Sequence, residues 1–152
     1  MPETEKSCGT ILFTEQHGAR RYVLVRNLAS GNCAFPKGHA EEGETERETA
    51  LRETWEETSV TPEIIPGFRR AITYTTDKDR EKTVTYFLAS CGAQTPVKNP
   101  AFEPLDLFVL PYRKAREAVT HESARGLLDE AERFLNLMER PQYSDVEKTD
   151  IK

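Results

Sequence analysis

Glu53, Glu56 and Glu57 stand at i, i+3 and i+4 inside a charged stretch, residues 38–60. On a helix that spacing gathers three carboxylates on one face. Carboxylates brought together repel and raise one another's pKa unless a cation neutralises them. Hard oxygen donors of this kind suit Mg²⁺, with Mn²⁺ as a substitute. Arg52 lies one turn before Glu56 and is placed to orient its carboxylate while adding compensating charge. Taken alone, the same acids also fit a solvated, Glu-rich helix face.

The element that must hold them is a helix expected over residues 44–58. Leu51, Thr54, Trp55 and Thr58 share the face opposite the acids, with Ala50 at its edge. That face is expected to anchor the helix on a sheet, with Trp55 buried. Gly43 precedes the helix, and acids in its first turn suit the positive end of the dipole.

Around it, residues 8–14 and 21–26 read as strands of a hairpin with a turn at 15–18. A loop through Ser30, Gly31 and Asn32 leads to Phe35-Pro36-Lys37-Gly38-His39. Pro62 and Pro66 bracket a connecting segment. Residues 68–75 and 83–90 are two further strands, joined by a charged loop, and 105–110 is another. Pro111 stands where a helix can start. Residues 112–119 and 122–138 are helical, the second with an apolar stripe of Ala124, Leu127, Leu128, Ala131 and Leu135. The pattern is α/β or α+β, a mixed sheet with helices on its faces.

The 152 residues suffice for one core. Residues 1–138 are expected to form a single domain and 139–152 a loose polar tail. No window approaches the ~18 consecutive apolar residues of a membrane-spanning helix. Residues 1–6 lack the basic flank and apolar run of a signal peptide. A net charge of -5 argues against a broad nucleic-acid footprint, although cations can bridge an acidic protein to a polyanion. Cys8, Cys33 and Cys91 are widely spaced and read as small buried thiols of a cytoplasmic protein.

The stretch 38–60 resembles the Nudix box. Gly38 is followed after five residues by Glu44, after seven more by Arg52-Glu53, then by Glu56-Glu57 and Val60. Thr54 departs from the usual aliphatic residue and Ser59 from the second glycine. Thr54 can still pack through its methyl, whereas Ser59 is less suited than Gly to a left-handed helix exit. The resemblance implies the Nudix fold, a mixed sheet sandwiched between helices. It implies that Glu53, Glu56 and Glu57 bind divalent cations with the Gly38 carbonyl, and that Glu44 and Arg52 support them.

The segments Phe35 to His39, Gly67-Phe68-Arg69-Arg70, Tyr74 and 82–89 resemble the diadenosine tetraphosphate hydrolases of that family, of animal and archaeal type. The implied reaction is asymmetric cleavage of a dinucleoside polyphosphate to a nucleoside triphosphate and a monophosphate. Lys37, His39 and Lys82 are then candidates for phosphate contacts, and Tyr74 or Tyr86 for stacking on a base. His17 and His121 are given no role. Glu103 matches a further metal-site glutamate, while the position of the family's clamping tyrosine falls on Leu107. The same box serves other organic pyrophosphates: a diphosphoinositol polyphosphate, a nucleoside triphosphate or an RNA 5′ end. A non-catalytic nucleotide-sensing module is the reading from a different class.

Overall fold

The computed structural model describes residues 5–75, 78–102 and 104–139. Its elements are β1 (Glu5–Gln16), β2 (Ala19–Asn27), β3 (Cys33–Ala34), β4 (Lys37–His39), α1 (Glu46–Thr58), β5 (Glu63–Thr75), β6 (Glu81–Ser90), β7 (Leu105–Pro111), α2 (Tyr112–Ala118) and α3 (Glu122–Met138). The strands form one sheet in which β1 runs parallel to β6 and the other pairings are antiparallel. This is the mixed α+β arrangement expected.

Alternation gives each strand two faces. On β1, Ile11 and Phe13 enter the larger core, while Leu12 enters a smaller cluster on the other face. The helix α3 closes the larger core with the stripe expected of it: Ala124, Leu127, Leu128, Ala131 and Leu135 are all buried. The helix α1 lies across β1 and β4 on the opposite face. The sheet is thus sandwiched between α1 and the α2–α3 pair.

One irregularity makes room for a site. β2 pairs with β1 only as far as Val23 and with β3 from Val25 onward. β1 pairs instead with β4 through Ser7, Cys8 and Gly9. The two strands splay, and residues 33–39 fill the fork between them. The fit is close: a Cβ at Gly9 would lie 2.0 Å from the Pro36 carbonyl oxygen, so only glycine is accommodated.

Several sequence expectations need correction. The helix α1 starts at Glu46 rather than at 44, because Thr45 caps it. Thr45 Oγ1 accepts from the Glu48 amide at 3.1 Å, and Glu48 Oε1 accepts from the Thr45 amide at 2.9 Å. Such a cap stabilises by about 1 kcal/mol. The segment around Pro66 belongs to β5, which crosses it with a register shift between Ile64 and Arg69; proline is tolerated at such irregularities. Trp55 is not buried but 44% exposed. The buried stripe of α1 is Thr49, Ala50, Thr54 and Thr58, so the anchoring face is rotated away from Trp55.

Other expectations hold. Cys8, Cys33 and Cys91 are free and buried. Ser59 takes the left-handed conformation, φ 63° and ψ 13°, that ends α1. No helix among the described residues is long and apolar enough to cross a membrane. Residues 140–152, most of the tail, lie outside the described residues.

Candidate active site

The Thr-rich stripe fixes α1 by polar as well as apolar contact. Thr54 and Thr10 of β1 share a buried hydroxyl–hydroxyl bond of 2.8 Å, and the Thr58 hydroxyl donates to the Thr54 carbonyl at 2.7 Å. Thr54 therefore satisfies its hydroxyl inside the interface, which an aliphatic residue there would not need to do. With that face seated, the acids lie along its flank toward β4.

Arg52 is the hub. Its Nε and Nη2 fork onto Glu44 at 2.7 and 3.0 Å. Its Nη1 donates to Glu53 at 2.8 Å and to Glu56 at 2.9 Å, and Nη2 also reaches the His39 carbonyl at 2.9 Å. Glu44 is further held by the Glu41 amide at 2.8 Å and the Thr49 hydroxyl at 2.9 Å. Arg52, followed by the Glu41 amide, pulls the Glu44 carboxyl down to about 2. Glu53 moves the other way: burial raises it, against the pull of Arg52 and with a further push from Glu56.

β4 brings the second set of groups. Glu57 accepts from the Lys37 amide at 3.1 Å. Gly38 lies against the Glu53 carboxylate so closely that a Cβ would stand 2.0 Å from its Cδ. Burial, and after it the neighbouring Lys82 charge, push the Lys37 amine down to about 8, with Glu57 and Glu53 opposing. Lys82 on β6 is paired in register with Tyr74 on β5. Among the described residues no three acidic, His or Cys side chains converge at metal-ligand spacing. Glu53 and Glu56 instead share Arg52, and Glu57 turns to the Lys37 amide. Glu103 lies outside the described residues.

These groups line one cleft of about 640 Å³. Glu53, Glu56, Glu57, Arg52 and Gly38 form one wall, and Lys37, His39, Lys82 and Tyr74 face the same space. Tyr86 does not. It is 1% exposed in the larger core, with its ring edge-on to Phe35 at 5.3 Å. Alternation turns it toward α3, so it is a packing residue and not a stacking surface. Leu107 packs against the smaller core cluster and is not among the residues that line the cleft.

The structure brings to the cleft His121, which the sequence reading gave no role, and two residues it did not single out, Phe102 and Ser7. His121, the residue before α3, stacks on Tyr74 with centroids 5.7 Å apart and planes 25° apart. Phe102 lines the cleft on the α1 side, edge-on to Trp55 at 5.7 Å and 79°. The Ser7 hydroxyl, also on the cleft wall, is buried without a hydrogen-bond partner among the described residues. No local pattern marks these three. Each is drawn in by an element distant in sequence.

A NUDIX domain is matched over residues 4–131. The chain is 51% identical over 94 residues to the asymmetrical bis(5'-nucleosyl)-tetraphosphatase of Mus musculus and 49% identical to that of Rattus norvegicus. Each match covers 55% of this chain and 63% of the relative, just under two thirds of its length. Among solved structures, a binary complex of a C. elegans Ap4A hydrolase aligns with a TM-score of 0.79 at 23% identity, covering 86% of this chain and 97% of that one. The NUDIX domain of Shewanella oneidensis NrtR, complexed with ADP ribose, aligns with a TM-score of 0.71 at 18% identity, covering 89% and 90%. At those identities the likeness speaks to the fold.

Proposed function

The chain belongs to the NUDIX domain family, and from that premise we propose that it is a metal-dependent pyrophosphohydrolase acting on dinucleoside polyphosphates. The reaction is asymmetric cleavage of a diadenosine tetraphosphate-type substrate to a nucleoside triphosphate and a monophosphate. The observation that carries the reading is one cleft in which a carboxylate cluster and two lysines face the same space. The names of the rodent relatives support the substrate class.

The donor set fits a divalent cation. Glu53, Glu56, Glu57, the Gly38 carbonyl and Glu103 are hard oxygen donors suited to Mg²⁺, with Mn²⁺ as substitute. The absence of a Cβ at Gly38 leaves the cradle in which the Glu53 carboxylate sits. A cation held there supplies positive charge against the phosphate oxygens and makes water at the site more acidic.

The chain's own residues do the rest. Arg52, tied to Glu44, the His39 carbonyl, Glu53 and Glu56, keeps these acids gathered on one side of the cleft before substrate arrives. Lys82 takes phosphates remote from the reacting phosphorus, Lys37 contacts phosphate closer to the acids whose charge it feels, and His39 adds a donor. Tyr74, braced by His121, offers a ring to one base. A carboxylate of the cluster accepts the proton of the attacking water. A new P–O bond forms from that water, one P–O–P bond breaks, and the nucleoside triphosphate and the monophosphate part. Three buried thiols suit a reducing compartment, so we assign the protein to the cytoplasm.

The test is product analysis with Mg²⁺ over a panel holding diadenosine tetraphosphate, ATP, ADP-ribose, a capped RNA 5′ end and a diphosphoinositol polyphosphate. Equal amounts of ATP and AMP from the first, formed faster than any other product, are expected. Two molecules of ADP would overturn the asymmetric reaction. Faster cleavage of another substrate would overturn the substrate class. Nucleotide binding with no cleavage at all would leave a sensing module.

A further inference from the structure

Trp55 and Phe102 are the two aromatic residues among the exposed large apolar side chains, at 44% and 39%. Leaving such rings in water forgoes burial that most aromatics obtain. They are also not independent. Trp55 lies on α1 between Glu53 and Glu56, and Phe102 precedes β7, yet their rings meet edge to face at 5.7 Å and 79°. An edge-to-face pair covers only one of its four ring faces. Phe102 lines the cleft that holds the carboxylates, whereas Trp55 is not part of that lining and stands behind it.

The position relative to the other aromatic pair matters. Tyr74 packs against the larger core, on the α3 side of the sheet, and stacks on His121. Trp55 belongs to α1 on the opposite side. Tyr74 and His121 of the one pair and Phe102 of the other line the same cleft as the acids and lysines. Two aromatic surfaces from opposite sides of the sheet, with charge lining the same cleft, suit a ligand with two flat bases joined by phosphates.

Resting on the reading of the protein as a dinucleoside polyphosphate hydrolase, we propose that Phe102 is the stacking surface for the base on the α1 side of the cleft. Trp55 is its positioning residue. Phe102 meets the base face, and the indole edge contact holds the phenyl ring at the angle the base requires. Leu105, beside it on the cleft wall, completes an apolar seat. The arrangement gives no hydrogen-bond readout, so it tolerates different bases.

The chain provides its own reporter, because Trp55 is its single tryptophan. ATP, AMP and tripolyphosphate are titrated separately into the wild-type protein with Mg²⁺ while indole emission is followed. ATP or AMP should shift or quench the emission and tripolyphosphate, which has no base, should not. In steady-state kinetics, Phe102→Ala should raise KM for diadenosine tetraphosphate by about 10-fold, the scale of one lost base–aromatic stack, with kcat little changed. Phe102→Tyr should restore KM, whereas Phe102→Leu, apolar but not aromatic, should not. An unchanged KM in Phe102→Ala, or an equal emission response to tripolyphosphate, would overturn the assignment while leaving the hydrolase reading intact. Failure of the wild type to cleave any dinucleoside polyphosphate would remove the hydrolase reading instead, and the emission titration would still decide whether a base reaches this pair.

Discussion

Replacing Gly38 with alanine tests the heart of the site with a single methyl group. An ideal Cβ there would stand 2.0 Å from Glu53 Cδ, 2.1 Å from Oε1 and 2.4 Å from Oε2. Carbon atoms in contact need about 3.5 Å, so the carboxylate must retreat by about 1.5 Å. Glu53 is the end of a flexible side chain, and β4 is held by pairing to β1, so the side chain yields before the backbone does. The retreat also loosens the 2.8 Å bond from Arg52. A misplacement of about 1 Å at a reacting centre can cost roughly 100-fold. Gly38→Ala is therefore expected to lower kcat by about 100-fold, or about 2.7 kcal/mol in the barrier. Its melting temperature should stay near that of the wild type. The assays are ATP release from diadenosine tetraphosphate and thermal unfolding by circular dichroism. Shortening the acid in the same background, Gly38→Ala with Glu53→Asp, should recover part of the loss. Full turnover by Gly38→Ala would refute the idea that Glu53 works from this cradle. Loss of the fold would place the strain in β4 instead.

Other expectations follow from the same geometry. Glu56→Gln keeps the shape of the side chain but removes a charge, so turnover should fall at least ~100-fold in a folded protein, and EDTA should abolish wild-type activity. A fully active Glu56→Gln variant would remove the acidic face from the chemistry. Lys82→Ala should raise KM for diadenosine tetraphosphate more than for ADP-ribose, whose phosphates do not extend as far; equal damage to both would put Lys82 at the reacting phosphorus. Trp55→Ala should destabilise by less than the ~3–5 kcal/mol typical of a buried tryptophan, as read from urea unfolding, because the side chain is half in solvent. A loss in that full range would mean that α1 sits on its other face.

The sequence was most legible where a repeating pattern and burial agree. The hairpin alternation of β1 and β2 and the helical stripe of α3 are both found in the fold. The carboxylates and Arg52 were legible because residues at i, i+3 and i+4 of a helix must share one face, which leaves little freedom. The orientation of α1 was not. Apolarity drew the anchoring face toward Leu51 and Trp55, yet the buried stripe is Ala50 and three threonines, of which Thr54 bonds across to Thr10 of β1 while Thr58 bonds back to its own helix and Thr49 to Glu44. Thr54 and Trp55 are about 100° apart on the helix, so one misassigned ring turned the whole face. β3 and β4 are too short to show a period, although β4 carries Lys37 and Gly38. Tyr86 shows the limit of residue type. A tyrosine beside the site in sequence can stack on a base or fill the core, and strand alternation decides. His121 and Phe102 reach the cleft only through the fold.

Charge along the cleft explains how an acidic protein can take a polyanion. Glu41, Glu53, Glu56 and Glu57 line it against Lys37, Arg52 and Lys82, one formal negative charge in excess. Arg52 is largely committed to its carboxylates and the His39 carbonyl, which leaves the lysines to meet phosphate. Without a cation, that balance disfavours a substrate bearing several negative charges. One divalent cation would reverse the sign, so in the proposed reaction the same carboxylates would serve catalysis and control entry. The lysines alone would hold a polyphosphate in any register. A cation taken by the acids would place the positive charge on the α1 wall and so select which phosphorus faces water. In the reaction proposed above, asymmetric cleavage would follow from where the chain keeps its negative charge.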